Sequence, residues 1–254
     1  MSDPISALRV KIFADGADKR RILELAANPV IAGFTTNPTL MKQAGVTDYE
    51  AFARDVLTAI PDRPFSFEVF SDDFDEMYVQ ACTIASWGDN VYVKIPVTNT
   101  RGDSAASLAR QLTRDGVKVN FTALLTLSQV ERGVDALSGG APSCISVFAG
   151  RIADAGVDPL PIMRSAMTLM AAEPQMELIW ASPREVLNIL QADEIGCHII
   201  TVTHDLLKKL TVVGKDLTEY SLDTVRMFYR DASEAGFQLR PSPKFQPVTA
   251  EAAA

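Results

Sequence analysis

From about residue 8 to residue 215, short apolar runs alternate with longer stretches whose apolar positions recur at helical spacing. The short runs read as strands: residues 8–14 (LRVKIFA), 30–35 (VIAGFT), 65–70 (FSFEVF), 91–96 (VYVKIP), 117–123 (VKVNFTA), 143–148 (SCISVF), 177–182 (ELIWAS) and 197–202 (CHIITV). Most are near-continuously apolar rather than alternating, which is the pattern of strands covered on both faces in a parallel sheet. Between them lie amphipathic segments. In DYEAFARDVLTAI, for example, Phe52, Val56, Leu57 and Ile60 form a single apolar stripe. Several such segments open on Asp, Ser or Thr in capping positions, and some are followed by Gly.

Eight strands alternating with eight helices predict an α/β fold, a closed (β/α)8 TIM barrel. An open doubly wound sheet is the alternative, but no Gly-rich phosphate loop follows any strand. After the last barrel helix comes SLDTVRMFYRDASEAG, with Leu222, Val225, Phe228 and Ala232 on one side and Gly236 as a stop. This predicts an additional C-terminal helix whose apolar face is covered by a barrel end or by a neighbouring subunit. The predicted division is a barrel over 1–215, a helical extension over 216–239 and a Pro-rich flexible tail over 240–254.

Composition narrows the class. An apolar fraction of 47% and a charged fraction of 22% are those of a globular chain long enough to bury a core unaided. The net charge of -8 argues against nucleic acid as a partner, so an anionic substrate needs its own local cations. Cys82, Cys144 and Cys197 are far apart in apolar segments and read as small core residues, not as a disulfide framework or zinc site. His198 and His204 have no cluster of acids around them, so no metal site is expected. No apolar run approaches a membrane span and MSDPISALRV lacks leader character, which makes a cytoplasmic location the default expectation.

The candidate chemistry sits at the carboxyl ends of the strands, where barrels of this kind place it. Lys94 interrupts the buried run VYVKIP. One reading is a strand-end lysine snorkelling to water. The other is a lysine whose apolar burial favours the free amine, and so a nucleophile. Around it the strand ends deliver Asp15, Thr35 with Thr36 and Asn37, Glu68, Asn120 with Thr122, Ser146 with Arg151, and Ser182 with Arg184. Singly, each has a structural explanation: Asp15 as a turn residue, Asn37 as a cap, Arg184 as a first-turn helix charge. Together they bring hydrogen-bonding groups from seven successive strands to one end. Arg151 and Arg184 suit a phosphate monoester, with Ser146 and Ser182 as added donors; the competing reading is ion pairing to acids such as Asp154 or Glu185.

GFTTNPTL (33–40), VYVKIPVT (91–98), VNFTALLT (119–126), ISVFAGRI (145–152) and WASPRE (180–185) together resemble the successive signatures of the transaldolase family, in its small single-domain branch with the fructose-6-phosphate aldolases. The resemblance implies a Schiff-base lysine at Lys94 and a carboxylate at Asp15 that works on the substrate hydroxyl. It implies that Glu68 and Thr122 hold a catalytic water and move protons. Asn37 and Asn120 become sugar-hydroxyl ligands, with Thr35 beside them. Ser146, Phe148, Arg151, Ser182 and Arg184 line the sugar and phosphate side. It further implies phosphorylated sugar substrates, no cofactor, a place in pentose phosphate carbohydrate metabolism, and a ring-like homo-oligomer of pentameric or decameric type. Glu68 and Phe148 stand where the aldolases tend to carry Gln and Tyr, which favours transfer over release. Val147 after Ser146, and Pro183 before Arg184, depart from the family pattern.

Overall fold

The computed structural model describes residue 5 and residues 7–240; the predicted tail beyond Arg240 lies outside the described residues. Eight strands form a closed parallel barrel in chain order. They are β1 (Lys11–Asp15), β2 (Ile31–Thr35), β3 (Phe65–Glu68), β4 (Val91–Pro96), β5 (Val119–Leu124), β6 (Ser143–Val147), β7 (Met176–Trp180) and β8 (Ile199–Thr203). The last pairs back onto the first, Lys11 opposite Ile199 through Asp15 opposite Thr203. The predicted TIM barrel is therefore the fold, and each strand lies within three residues of its predicted limits.

The helices that cross over are α1 (Lys19–Ala26), α2 (Pro38–Gln43), α3 (Tyr49–Ala59), α4 (Phe74–Ala85), α5 (Ala106–Arg114), α6 (Leu127–Leu137), α7 (Ala149–Asp154), α8 (Leu160–Met170), α9 (Leu187–Glu194) and α10 (His204–Leu207). The carboxylates of Asp18, Asp48 and Asp73 accept backbone N–H bonds at the starts of α1, α3 and α4, and Thr126 forms a capping box with Gln129 on α6. Two short helices, α2 and α7, were not among the segments predicted from spacing. Each has only six residues, too short to show a stripe. From His204 a single turn of α10 is followed by a 3-10 stretch, Lys208–Val212, and then Gly214 at positive φ.

The strands separate two apolar clusters. The larger lies between sheet and helices and holds Phe34, Phe65, Phe67, Ile95, Phe121 and Trp180, all essentially inaccessible. The smaller lies inside the barrel: Phe13, Cys144, Ile179, Ala181 and Ile199, with Tyr92 and Phe148 against it. Gly33 makes room for it, because a Cβ there would lie 2.6 Å from the Phe13 ring. Cys144 and Cys197 are buried as expected, whereas Cys82 on α4 is only half-buried.

The chain divides at Val213 into two units. Within the second, α11 (Leu217–Glu234) starts at an Asp216 cap, within the segment 216–239 read as a helical extension, and ends near Gly236 at positive φ. None of its residues is buried; Val225 is 59% and Phe228 64% exposed. Among the described residues no helix is long and apolar enough to cross a membrane.

Phe65 stacks between Phe34 and Phe67, with ring centroids 5.3 and 4.7 Å away. Phe65→Ala is expected to cost about 3–5 kcal/mol of unfolding free energy, measured by urea denaturation, with the m-value unchanged.

Candidate active site

Strand register decides which side chains enter the barrel, since residues paired across parallel strands share a face. Asp15 pairs with Thr35, Thr35 with Ser66, Glu68 with Lys94, Lys94 with Asn120, Asn120 with Cys144, and Ser146 with Ile179. The polar inner positions form one layer at the carboxyl end, above the apolar plug around Phe13. A cavity of about 110 Å³ opens there, lined by ten of the twelve predicted residues: Asp15, Thr35, Asn37, Lys94, Asn120, Thr122, Ser146, Phe148, Arg151 and Ser182. A larger depression of about 500 Å³, lined by Tyr92, Glu173 and His198, gathers none of them.

Lys94 is 6% exposed, so it does not snorkel. Its surroundings are polar, which corrects the expectation of an apolar pocket. Nζ donates to the Thr36 carbonyl at 2.9 Å and lies 2.9 Å from the Glu68 Oε2. Glu68 does not line the cavity; it stands behind the lysine as the nearest proton acceptor. A buried charge pair is tolerable only when hydrogen-bonded in this way, and it keeps the amine fixed in place.

Asp15 receives the Thr35 hydroxyl at 2.7 Å, and Thr35 in turn contacts the Thr201 hydroxyl. Thr35 has one proton and spends it on Asp15, so Thr201 is the donor to Thr35. Desolvation pushes the Asp15 carboxyl above the ordinary carboxylate value of 3.8; the Lys94 charge and the Thr35 bond pull it back in part, and Glu68 adds to the rise. On the other wall, Ser146 donates to the Asn120 carbonyl at 2.7 Å and Asn120 donates to Ser66 at 3.1 Å, which locks the amide. The Thr122 hydroxyl is buried with no protein partner and remains for a ligand or water. The Asn37 Oδ1 caps α2 by accepting from Leu40 at 3.0 Å, leaving its amide donors to the cavity it lines.

The backbone is strained at the same end. Ala123 (φ 66) and Ser182 (φ 60) are the two non-glycine residues at positive φ among those described. Ala123 accompanies a register shift between β5 and β6, directly after Thr122. Ser182 lies against Gly150 of α7. At the rim, the exposed Arg151 stacks its guanidinium 5.7 Å over the Phe148 ring. Arg184 does not line the cavity. Its guanidinium forks onto Asp154 at 2.5–3.0 Å and donates to the Ser182 hydroxyl at 3.0 Å, so the ion-pair reading describes Arg184 here. Sequence reasoning missed Thr201, Ser66 and the Thr36 carbonyl. The first two carried a signal, two residues from other inner positions on their strands; a backbone carbonyl carries none. Among the described residues no group of three or more His, Cys, Asp or Glu side chains is placed to hold a metal ion.

A family model described as Transaldolase/Fructose-6-phosphate aldolase matches residues 12–239. A protein named "Probable transaldolase" from Streptococcus equi subsp. zooepidemicus (strain MGCS10565) is 35% identical over 205 residues, covering 80% of this chain and 90% of that protein. Another of that name, from Dehalococcoides mccartyi (strain ATCC BAA-2266 / KCTC 15142 / 195), is 32% identical over 202 residues, 79% of this chain and 90% of its own length. Among solved structures, a HpcH/Hpal aldolase/citrate lyase family protein from Burkholderia cenocepacia J2315 is similar with a TM-score of 0.55 at 16% identity. That match covers 89% of this chain and 100% of the other, and it speaks for the barrel fold alone.

Two outcomes follow from the geometry. A carboxyl held above 3.8 in the fold binds its proton more tightly there than in the unfolded chain, so the charged form costs stability at neutral pH. Asp15→Asn is therefore expected to raise the melting temperature at neutral pH, by an amount that shrinks through the raised Asp15 titration and vanishes below about pH 3.8; melts across that range measure it. A Cβ on Gly150 would lie 1.6 Å from the Ser182 carbonyl oxygen. Gly150→Ala is expected to cost about 1–3 kcal/mol, read from chemical denaturation.

Proposed function

The chain belongs to the transaldolase/fructose-6-phosphate aldolase family, and from that premise we propose that it transfers a three-carbon dihydroxyacetone unit from a ketose phosphate to an aldose phosphate through a Schiff base on Lys94. The observation that carries this reading is the buried Lys94 amine, held between Glu68 and the Thr36 carbonyl in a cavity it shares with Asp15.

In this reading Lys94 passes a proton to Glu68 and its free amine attacks the ketose carbonyl. The carbinolamine loses water to give a protonated imine, with Glu68 and the unpartnered Thr122 hydroxyl managing that water. Asp15 removes the proton from the hydroxyl two carbons away, the carbon–carbon bond breaks, its electrons flow into the imine, and an aldehyde leaves. The enamine carbon then attacks the acceptor aldehyde, Asp15 returns its proton to the new alkoxide, and water frees the product from Lys94. The position of Asp15 above the ordinary carboxylate range suits a group that both takes and returns a proton.

A cavity of about 110 Å³ supports the fragment size. It is well below the ~300 Å³ or more of sites that enclose a drug-sized ligand. A three-carbon unit fits inside, with the phosphate at the rim beside Arg151 and Ser182. Phe148 lacks a hydroxyl that would protonate the enamine, which supports transfer over simple release. The exposed apolar face of α11, with Val225 and Phe228, supports a homo-oligomer.

The test is intact-protein mass after incubation with fructose 6-phosphate and borohydride, with and without erythrose 4-phosphate, followed by peptide mapping. The expected result is a three-carbon adduct on Lys94 that is lost when the acceptor is present. An adduct that persists with acceptor would point to release of dihydroxyacetone instead, and an adduct elsewhere would overturn the assignment of Lys94. Lys94→Met is expected to abolish turnover and adduct while sparing phosphate binding.

A further inference from the structure

The seam between β2 and β3 is short. Only two residue pairs join these strands, Phe34 with Phe65 and Thr35 with Ser66, whereas four join β3 to β4. The reason is that the β2 chain turns away into α2 directly after Thr36. Backbone groups on β3 point alternately to its two neighbours. Phe65 and Val69 donate to Asn90 and Lys94 on the β4 side, while the Pro64 and Ser66 carbonyls accept from Phe34 and Thr36 on the β2 side. Glu68 continues the even series. Its N–H and C=O therefore face the place that β2 has vacated.

A hydroxyl from α3 fills that place. Tyr49 Oη donates to the Glu68 carbonyl at 2.8 Å and accepts from the Glu68 N–H at 2.9 Å. One phenol thus replaces both bonds a neighbouring strand would make. The ring is fixed as firmly as the hydroxyl: it packs against Phe67, Phe70 and Trp87 with centroids 5.6–6.3 Å away, and Tyr49 opens a helix capped by Asp48. Burial holds the phenol protonated well past neutral pH, so it stays a donor as well as an acceptor.

We propose that Tyr49 is a positioning residue for the reacting lysine: it pins the free end of β3 that carries Glu68, and through Glu68 it fixes the aim of the Lys94 amine. This rests on the reading of Lys94 as the Schiff-base nucleophile. A residue with a merely structural role would lower stability and slow every step alike. A residue acting through Glu68 slows formation of the lysine adduct and loses its effect when the Glu68 carboxylate is gone.

The experiment is a double-mutant cycle on the full-length protein, with Tyr49→Phe, Glu68→Gln and the pair. The rate of borohydride-trapped adduct on Lys94 is measured with fructose 6-phosphate. Tyr49→Phe keeps the ring and removes only the oxygen. It is expected to slow adduct formation roughly tenfold to a hundredfold, the scale of a small misplacement of a reacting group, yet to change the rate by less than about twofold in the Glu68→Gln background. Equal adduct rates in Tyr49→Phe and the unaltered protein, or effects that simply multiply in the pair, would overturn the role of Tyr49 alone. No adduct in the unaltered protein would overturn the Lys94 reading, and this inference with it.

Discussion

Closure of the parallel barrel is the constraint from which the rest follows. Once β8 pairs with β1, no strand has a free edge, and the register around the ring determines which residues face inward. Alternate residues of each strand then belong either to the helix-covered core or to the barrel interior. The first set is almost wholly apolar. The second divides along the barrel axis, with Phe13, Cys144, Ile179 and Ile199 below and Asp15, Thr35, Lys94, Asn120 and Ser146 above. The plug below gives the cavity a dry floor.

A polar interior is costly unless each group finds a partner, and the partners here come across the barrel interior from adjacent and next-but-one strands. Ser146, Asn120 and Ser66 satisfy one another across β6, β5 and β3. Thr201, Thr35 and Asp15 do so across β8, β2 and β1. Between these two chains, Glu68 and the Thr36 carbonyl hold Lys94. Removing one member of a buried ion pair typically costs about 3–5 kcal/mol, so Lys94 and Glu68 hold each other in place. Among the residues lining the cavity the Thr122 hydroxyl is buried without a partner, and it lies where a ligand would complete it. The short seams of the sheet also draw on side chains. Tyr49 closes the one beside β3, and the His198 imidazole accepts the Leu178 N–H at 3.0 Å between β7 and β8, where again only two pairs form.

The eight-strand pattern was legible because a strand covered on both faces writes a continuous apolar run, and the helices over it write a stripe. The inward set was legible too, since Glu68 and Lys94, or Asn120 and Thr122, stand out as polar residues inside such runs. What could not be read was whatever depends on geometry between distant segments. Tyr49 looked like an ordinary first-turn residue of a helix. The Thr36 carbonyl has no side chain to announce it, and the bulge that puts Ala123 at positive φ arises from a register shift against β6. Ser66 and Thr201 were passed over although they sit at inner positions, because a small hydroxyl in an apolar strand reads as tolerated rather than placed.

Floor and rim of the site obey different rules, and Arg184 shows where they part. A floor residue is where the register puts it. An arginine at the rim has a long stem and takes the best acceptor within reach, which for Arg184 is Asp154. The contact draws the Asp154 carboxyl below its usual range. Yet the two side chains are 44% and 54% exposed, and a pair so open to water adds little to stability. A phosphate dianion carries roughly twice the charge of a carboxylate and presents the same fork geometry. Exchange of one anion for the other therefore costs Arg184 little. Arg184 is thus held at the rim by a weak, solvent-exposed pair, whereas the residues inside the barrel are held in place by strand pairing.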